Sequence, residues 1–222
     1  YFLNLYKFSS YGIDNNDFND YHQKILHIKP FFLRGYPSAI FLFAEYLQNN
    51  NLKPGFKLKA IFTTSEMLFP KQRLLIEKVF NCSVFDTYGV NDGAINAFEC
   101  SNNNGFHIDS ERGLMEVVDE QGIGLNDEQG KILGTTLEEK CMPLIRYDTG
   151  DLGVSSDEYC LCGNEKLILK TLQGMSTDHL KINGRIIGPP VLALLMGETS
   201  ATNYQIEQTS KNKIIINMVY KD

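Results

Sequence analysis

Between residues 31 and 85, short apolar runs alternate with longer stretches of helical period, and no other feature constrains the fold as strongly. Phe31-Phe32-Leu33, bounded by Pro30 and Gly35, predicts a short buried strand. Ile40, Phe43, Ala44 and Leu47 then fall at i, i+3, i+4 and i+7, one apolar stripe of a helix. Pro37 suits that helix's first turn. Residues 58–63 predict a second strand and residues 83–85 a third. Between them, residues 70–80 pair Leu75 with Val79 and Ile76 with Phe80 at helical spacing. Crossovers this short demand parallel strands and right-handed connections. Two strand ends then open on one crevice, where open parallel sheets bind ligands. The first carries Thr64-Ser65-Glu66 and the second Tyr88-Gly89-Val90-Asn91-Asp92. Ahead of this unit a polar helix is expected from about Asp17, with His22 and His27 at its surface.

After Cys100 the pattern changes. Residues 105–108, 114–119, 131–137 and 144–147 read as short strands between glycine-rich or acidic turns, an antiparallel sheet or small barrel. Residues 119–130 are a solvated hairpin end. Arg146-Tyr147-Asp148-Thr149-Gly150-Asp151 is expected to leave a strand into a tight turn bearing two carboxylates. Pro189-Pro190 marks a boundary, followed by a helix over 191–196 and a strand over 213–219. The reading is therefore α/β for residues 1–173, with 1–99 α/β and 100–173 mostly β. Residues 174–222 form a hinge and part of a small α+β domain.

The chain has 222 residues and a formal charge of -6, with a pI near 5.3. No basic stripe is present to follow a phosphate backbone, so nucleic acid is not an expected partner. No apolar run is long enough to cross a bilayer. With no signal peptide in Tyr1-Phe2-Leu3-Asn4-Leu5-Tyr6, a soluble, cytoplasmic chain is expected, cut from something longer. Five cysteines, an odd count, argue for thiols or a metal site over a disulfide framework.

At the end of the third strand, Tyr88 is suited to stack on a flat base. Gly89 lets backbone approach closely, and Asp92 can hold a metal or orient a hydroxyl. Each also has a plain structural reading: Tyr88 as a core tyrosine, Asp92 as a solvated loop acid, Asp148 and Asp151 as turn caps.

Taken in order, Thr64-Ser65-Glu66, Tyr88-Gly89-Val90-Asn91-Asp92, the segment Pro143-Leu144-Ile145-Arg146-Tyr147-Asp148-Thr149-Gly150-Asp151 and the hinge beginning at Gly174 resemble motifs of the adenylate-forming enzymes. Within them the pattern is similar to the phenylacetate–coenzyme A ligase family, including relatives encoded with capsular-polysaccharide genes. The resemblance implies that a carboxylate attacks the α-phosphorus of ATP, pyrophosphate leaves, and the thiol of coenzyme A then displaces AMP. Such chemistry needs positioning and charge neutralisation above all. It implies that Tyr88 stacks on adenine and that the backbone near Ser65, Glu66 and Gly89 lines the base. It also implies that Asp151 accepts hydrogen bonds from the ribose hydroxyls. Asp92 takes the place of the family's catalytic glutamate in holding magnesium. Being one methylene shorter, it draws the ion nearer or binds it through water. A carboxylic acid, ATP and coenzyme A are the implied partners, with the N-terminal part of the same polypeptide and, as one option, a second copy in a homodimer.

Cys100, His107, Cys160 and Cys162 form a separate group. Three thiolates and one imidazole suit a closed, tetrahedral, structural zinc site, and many members of the family carry a similar Cys-x-Cys-Gly. The bland alternative is buried thiols and a packed histidine. Cys82 and Cys141 are left over, as buried thiols.

Three departures from the family pattern stand out. The Gly/Ser/Thr-rich phosphate loop and the C-terminal lysine are not found, and the hinge reads Gly174-Met175-Ser176-Thr177-Asp178. Met175 replaces an arginine and Thr177 an aspartate, which removes a charge-assisted contact. This stretch alone is expected to be inert. Two further readings stay open: transfer of the acyl group to an amine, hydroxyl or carrier protein, and a non-catalytic, zinc-stapled binding module.

Overall fold

Ile40, Phe43, Ala44 and Leu47 lie buried along one side of α2 (Pro37–Asn49), as their spacing predicts. A computed structural model describes residues 5–9, 15–90, 95–138, 141–175, 180–182, 185–187, 192, 196, 199–211 and 213–220. The chain divides into two units, Tyr1–Thr87 and Tyr88–Asp222.

In the first unit, α1 (Asn15–Ile28), β1 (Phe32–Gly35), α2, β2 (Ala60–Thr64), α3 (Pro70–Phe80) and β3 (Val84–Val90) follow one another, with β3 running past Thr87 into the second unit. β1 pairs with β2 and β2 with β3, both in parallel. The α2 stripe packs on Ile61 and Val84 of the sheet and on Ile76 and Phe80 of α3. Phe18 of α1 stacks on Phe43 at 5.9 Å between ring centroids. β1 is not the buried strand its composition suggests: Phe31 and Phe32 are 65% and 52% exposed. It lies at an edge with one neighbour, and only its Leu33 side meets the core. Phe32, Phe62 and Phe85 instead form a ladder of rings, each pair 5.9 Å apart.

Polar side chains set the ends of these elements. Arg73 Nη1 of α3 donates to the Val84 carbonyl at 2.6 Å, and Glu77 Oε1 accepts from the Val84 N–H at 2.9 Å. The helix therefore fixes where β3 begins. The first turn of α2 has no N-cap side chain of its own. Glu66, just past β2, supplies it: Oε2 accepts from the Ser38 N–H at 3.1 Å and Oε1 from the Ser38 hydroxyl at 3.0 Å. An anionic acceptor at this position satisfies an orphan donor and opposes the helix dipole. Ser65 stands in the left-handed region at φ 68° to turn Glu66 that way. His22, expected at the surface, is buried, with Nε2 2.9 Å from the Lys53 carbonyl.

The second unit continues with β4 (Ile95–Glu99), β5 (Phe106–Ile108), β6 (Gly113–Val118), β7 (Gln129–Thr136), β8 (Tyr147–Ser156) and β9 (Ile168–Met175). Their order is β4-β5-β9-β8-β7-β6, with every pair antiparallel. Three strands lie between β4 and β7 in this order, yet Ile95 of β4 packs against Gly134 of β7. The sheet therefore curls on itself over a core of Ile95, Ile132, Leu169 and their neighbours. A Cβ at position 134 would stand 3.0 Å from the Ile95 side chain, which would have to shift by a few tenths of an ångström to admit it.

The predicted strand over 144–147 is absent; β8 begins only at Tyr147. Arg146 stands at φ 49°, which breaks the extended run before it. Two further antiparallel pairs follow, β10 (Leu180–Ile182) with β11 (Arg185–Ile187), and β12 (Ala201–Ser210) with β13 (Lys213–Tyr220). β12 was not expected, because its polar residues hide the strand period. Leu192 and Met196 are helical, and the boundary at Pro189-Pro190 lies outside the described residues. Among the described residues no helix is long and apolar enough to cross a membrane.

Replacing Glu66 with alanine should cost the first turn of α2 about 1 kcal/mol, the ordinary size of a lost cap. Hydrogen exchange at Ser38 and Ala39 is then expected to accelerate roughly fivefold while α3 is unchanged. Equal exchange in both proteins would show that Glu66 does not hold this turn.

Candidate functional site

Tyr88 and Asp151 are 63 positions apart in sequence and meet in the second unit, where the Tyr88 hydroxyl donates to Asp151 Oδ2 at 2.8 Å. Strand geometry brings them there. Tyr88 sits near the end of β3, which runs on to Val90, so Tyr88 and Gly89 are extended residues within the strand and not a turn after it. The Tyr88 ring packs with Ile95, Ile132 and Leu169, leaving the residue 9% exposed.

Asp151 is aimed by a bulge. Leu133 pairs with Asp148 and Lys131 with Leu152, so Ile132 alone faces Thr149, Gly150 and Asp151. Gly150 accommodates the excess chain at φ 78°. Thr149 locks it: its hydroxyl donates to the Ile132 carbonyl at 2.9 Å and accepts from the Asp151 N–H at 3.1 Å. Asp148 Oδ1 accepts from the Gly150 N–H at 2.9 Å. Asp148 thus takes the turn-cap role, while the Asp151 carboxylate is released from it. Bulges of this kind redirect a side chain out of the alternating pattern of a strand. The tight turn expected after a strand is in fact a bulge within one.

Electrostatics distinguish this carboxylate. Burial holds the Asp151 carboxyl above the ordinary range, the Tyr88 hydrogen bond pulls it down, and the charge of Asp148 pushes it up. Burial, with the charge of Asp151 second, raises the Tyr88 phenol, which stays a protonated donor.

Met175, the last residue of β9, pairs with Asp151 across the ladder, so Gly174 and Met175, read as the start of a hinge, lie in the sheet. Ser65 and Glu66 belong to the first unit, where Glu66 caps α2. A Cβ at Gly89 would stand 2.7 Å from Asn96 Oδ1. Asp92 and Thr177 lie outside the described residues.

The structure also assembles Cys100, His107, Cys160 and Cys162, whose ligand atoms all lie within 4.8 Å of one another. Cys100 lies in the β4–β5 connection, His107 in β5, and Cys160 and Cys162 in the β8–β9 connection. Because β5 pairs with both β4 and β9, the two connections emerge side by side. A tight turn, with the Gly163 N–H donating to the Cys160 carbonyl at 3.1 Å, presents the Cys-x-Cys pair.

Cys100 and Cys160 sulfurs are 3.6 Å apart, and Cys162 Sγ is 3.4 Å from His107 Nε2. Tetrahedral zinc with its usual bond lengths separates such ligand atoms by about 3.5–3.8 Å, so the donor set fits. Backbone donation from the Cys162 N–H, the largest cause, lowers the Cys160 thiol to about 6 despite burial, which favours the thiolate a metal requires. His107 Nδ1 is buried with no hydrogen-bond partner among the described residues, so no outer acceptor fixes the ring. Cys141 is exposed and Cys82 half-buried, which corrects the expectation that both are core thiols.

Sequence reasoning missed Thr149, whose hydroxyl organises the bulge, and the anchoring of Arg146. The latter pairs with Glu116 at 3.1 Å and donates to the Gly122 carbonyl at 2.7 Å. An arginine inside the quoted motif was the available signal; its partners, on β6 and in the β6–β7 loop, carried none.

Because burial lifts the folded-state pKa of Asp151 above its unfolded value, the ionised carboxylate weighs against the fold at neutral pH. That burden disappears as pH falls below the unfolded value. Asp151→Asn should therefore melt no lower than wild type at pH 7, with any advantage shrinking in acid. A lower melting point at pH 7 would mean that the charge is stabilising.

No protein-family model matches the chain. Over 225 residues it is 28% identical to Protein CapK of Staphylococcus aureus, a match covering 98% of this chain and 48% of that protein. Over 87 residues it is 38% identical to phenylacetate-coenzyme A ligase of Thermus thermophilus, covering 38% of this chain and 20% of that protein. The chain thus spans about half, or less, of the length of these relatives. Among solved structures it resembles 2-hydroxyisobutyryl-CoA ligase in the postadenylation state with R3-HIB-AMP. The TM-score is 0.77 at 22% identity, over 91% of this chain and 46% of that one. Anthranilate CoA ligase AuaEII in complex with anthranoyl-AMP gives a TM-score of 0.66 at 14% identity, over 90% of this chain and 40% of that one. At these identities the likeness establishes the adenylate-forming fold.

Proposed function

We propose that the chain, similar to adenylate-forming proteins of the phenylacetate–coenzyme A ligase-like family, carries in its second unit the nucleotide-binding elements of an ATP-dependent, AMP-forming acid–thiol ligase. The observation that carries this reading is the pairing of Tyr88 with Asp151 at 2.8 Å. Two residues drawn from separate motifs of the family converge there on a carboxylate that the strand bulge frees from backbone duty.

In this reading Asp151 accepts hydrogen bonds from the ribose hydroxyls, while Tyr88 and the backbone at Gly89 border the base. Asp92 holds magnesium, which neutralises phosphate charge when bound. A carboxylic acid attacks the α-phosphorus, pyrophosphate departs, and the thiol of coenzyme A then releases AMP. These residues position the reactants and exclude water; none needs to form a bond with the substrate. Residues 174–222 serve as the hinge and the start of the mobile domain in a cytoplasmic protein.

The full-length protein, supplied with ATP, magnesium and a panel of carboxylic acids, should release pyrophosphate, and AMP should follow on addition of coenzyme A. Asp151→Ala should weaken nucleotide binding by roughly 10- to 100-fold, the range for a lost charge-assisted hydrogen bond. Unchanged affinity would remove the ribose role. Adenylate formation with AMP release to an amine or hydroxyl acceptor, and none to coenzyme A, would instead assign the acyl group elsewhere. Absence of pyrophosphate release with every acid would leave a binding module.

We further propose that Cys100, His107, Cys160 and Cys162 hold a structural zinc that ties the two connections together. Metal analysis of protein purified without chelator should find about one zinc per chain, and Cys160→Ser should reduce it sharply. Metal-free protein with an unaltered melting point would refute the site.

A further inference from the structure

Asp151 offers two carboxylate oxygens, and the Tyr88 hydroxyl occupies Oδ2. Among the described residues it is the side-chain donor on this carboxylate. The donor itself is buried: Tyr88 is 9% exposed and packs with Ile95 and Ile132 in the core of the curled sheet. So little of the ring is open that its hydroxyl, more than its face, is the part placed to influence a ligand.

The backbone of Asp151 is fixed as well. Thr149 accepts its N–H at 3.1 Å and anchors to the Ile132 carbonyl at 2.9 Å. Only the side-chain torsions of Asp151 remain free, and the Tyr88 hydrogen bond removes that freedom. A carboxylate that must receive a ribose hydroxyl gains from being oriented beforehand, because the ordering cost then falls on folding and not on binding.

We propose that Tyr88 is a positioning residue whose hydroxyl clamps one oxygen of Asp151, holding the other ready for a ribose hydroxyl and so making the site selective for ribonucleotides over their deoxy counterparts. This rests on the assignment of Asp151 as the ribose acceptor, and it assigns the Tyr88 hydroxyl a role separate from stacking. Burial of the phenol supports the clamp, since a group held protonated remains a donor throughout the working pH range.

Calorimetry on the full-length protein tests it, using AMP, 2′-deoxy-AMP and 3′-deoxy-AMP with wild type, Tyr88→Phe and Asp151→Asn. Wild type should prefer AMP to the deoxy form that lacks the recognised hydroxyl by roughly 10- to 100-fold. In Tyr88→Phe, which keeps the aromatic ring, that ratio should fall to within about threefold, while affinity for the deoxy nucleotide changes little. A merely structural loss would weaken all three nucleotides together and leave the ratio intact. A folded Tyr88→Phe that keeps the wild-type ratio overturns the clamp and leaves the nucleotide reading standing. Wild type that fails to bind AMP, or binds all three equally, overturns the ribose assignment and the clamp with it. Should Tyr88→Phe not fold, a crystal structure of wild type with AMP decides the matter. Tyr88 still on Oδ2 with a ribose hydroxyl on Oδ1 supports the clamp, and a Tyr88 hydroxyl turned away from Asp151 overturns it.

Discussion

The hydrogen bond from the Tyr88 hydroxyl to Asp151 joins the end of β3 to the bulge of β8 in a part of the second unit where water has little access. A half-buried carboxylate without that donor would carry its full desolvation penalty. The surrounding construction keeps the pair in register. Gly134 lets Ile95 close over the core, Gly150 turns the surplus residues of the bulge, and Thr149 ties them to Ile132. Burial of this one carboxylate raises its pKa and weighs against the fold at neutral pH.

The same sheet organises the cysteine cluster by a different route. Because β5 lies between β4 and β9, the connections that follow β4 and precede β9 emerge on neighbouring strands. His107 in β5 then stands among Cys100, Cys160 and Cys162. A metal there would cross-link segments about 60 residues apart, a long loop whose closure in the unfolded chain is entropically unfavourable. The cluster thus bears on the stability of the sheet that carries Asp151, in which Met175 pairs with Asp151.

Much of the first unit was legible in the sequence, because burial of a helix stripe and of parallel strands imposes periods that residues record locally. α3 runs over residues 70–80 as predicted, and the α2 stripe is the buried one. What failed there were properties set by neighbours. Phe31 and Phe32 are apolar yet exposed, since an edge strand has one partner, and His22 is polar yet buried, since Lys53 offers it a carbonyl. In the second unit the candidate site residues could be named from motifs. Their geometry could not, because the bulge depends on register between β7 and β8, which a single strand does not encode.

The sequence by itself determined the alternating α/β beginning, the turn to antiparallel strands after Cys100, the donor types of the cysteine–histidine group, and Tyr88 and Asp151 as the residues to watch. Only the tertiary structure decided that Tyr88 uses its hydroxyl on Asp151, that Asp148 is the turn cap and Asp151 is not, and that Glu66 closes the first turn of α2. The reason is the range of the forces involved. Periodicity and turn chemistry act over a few residues and are written in order along the chain. Hydrogen bonds between positions 28 and 63 residues apart exist only once packing has chosen which strands and helices are neighbours.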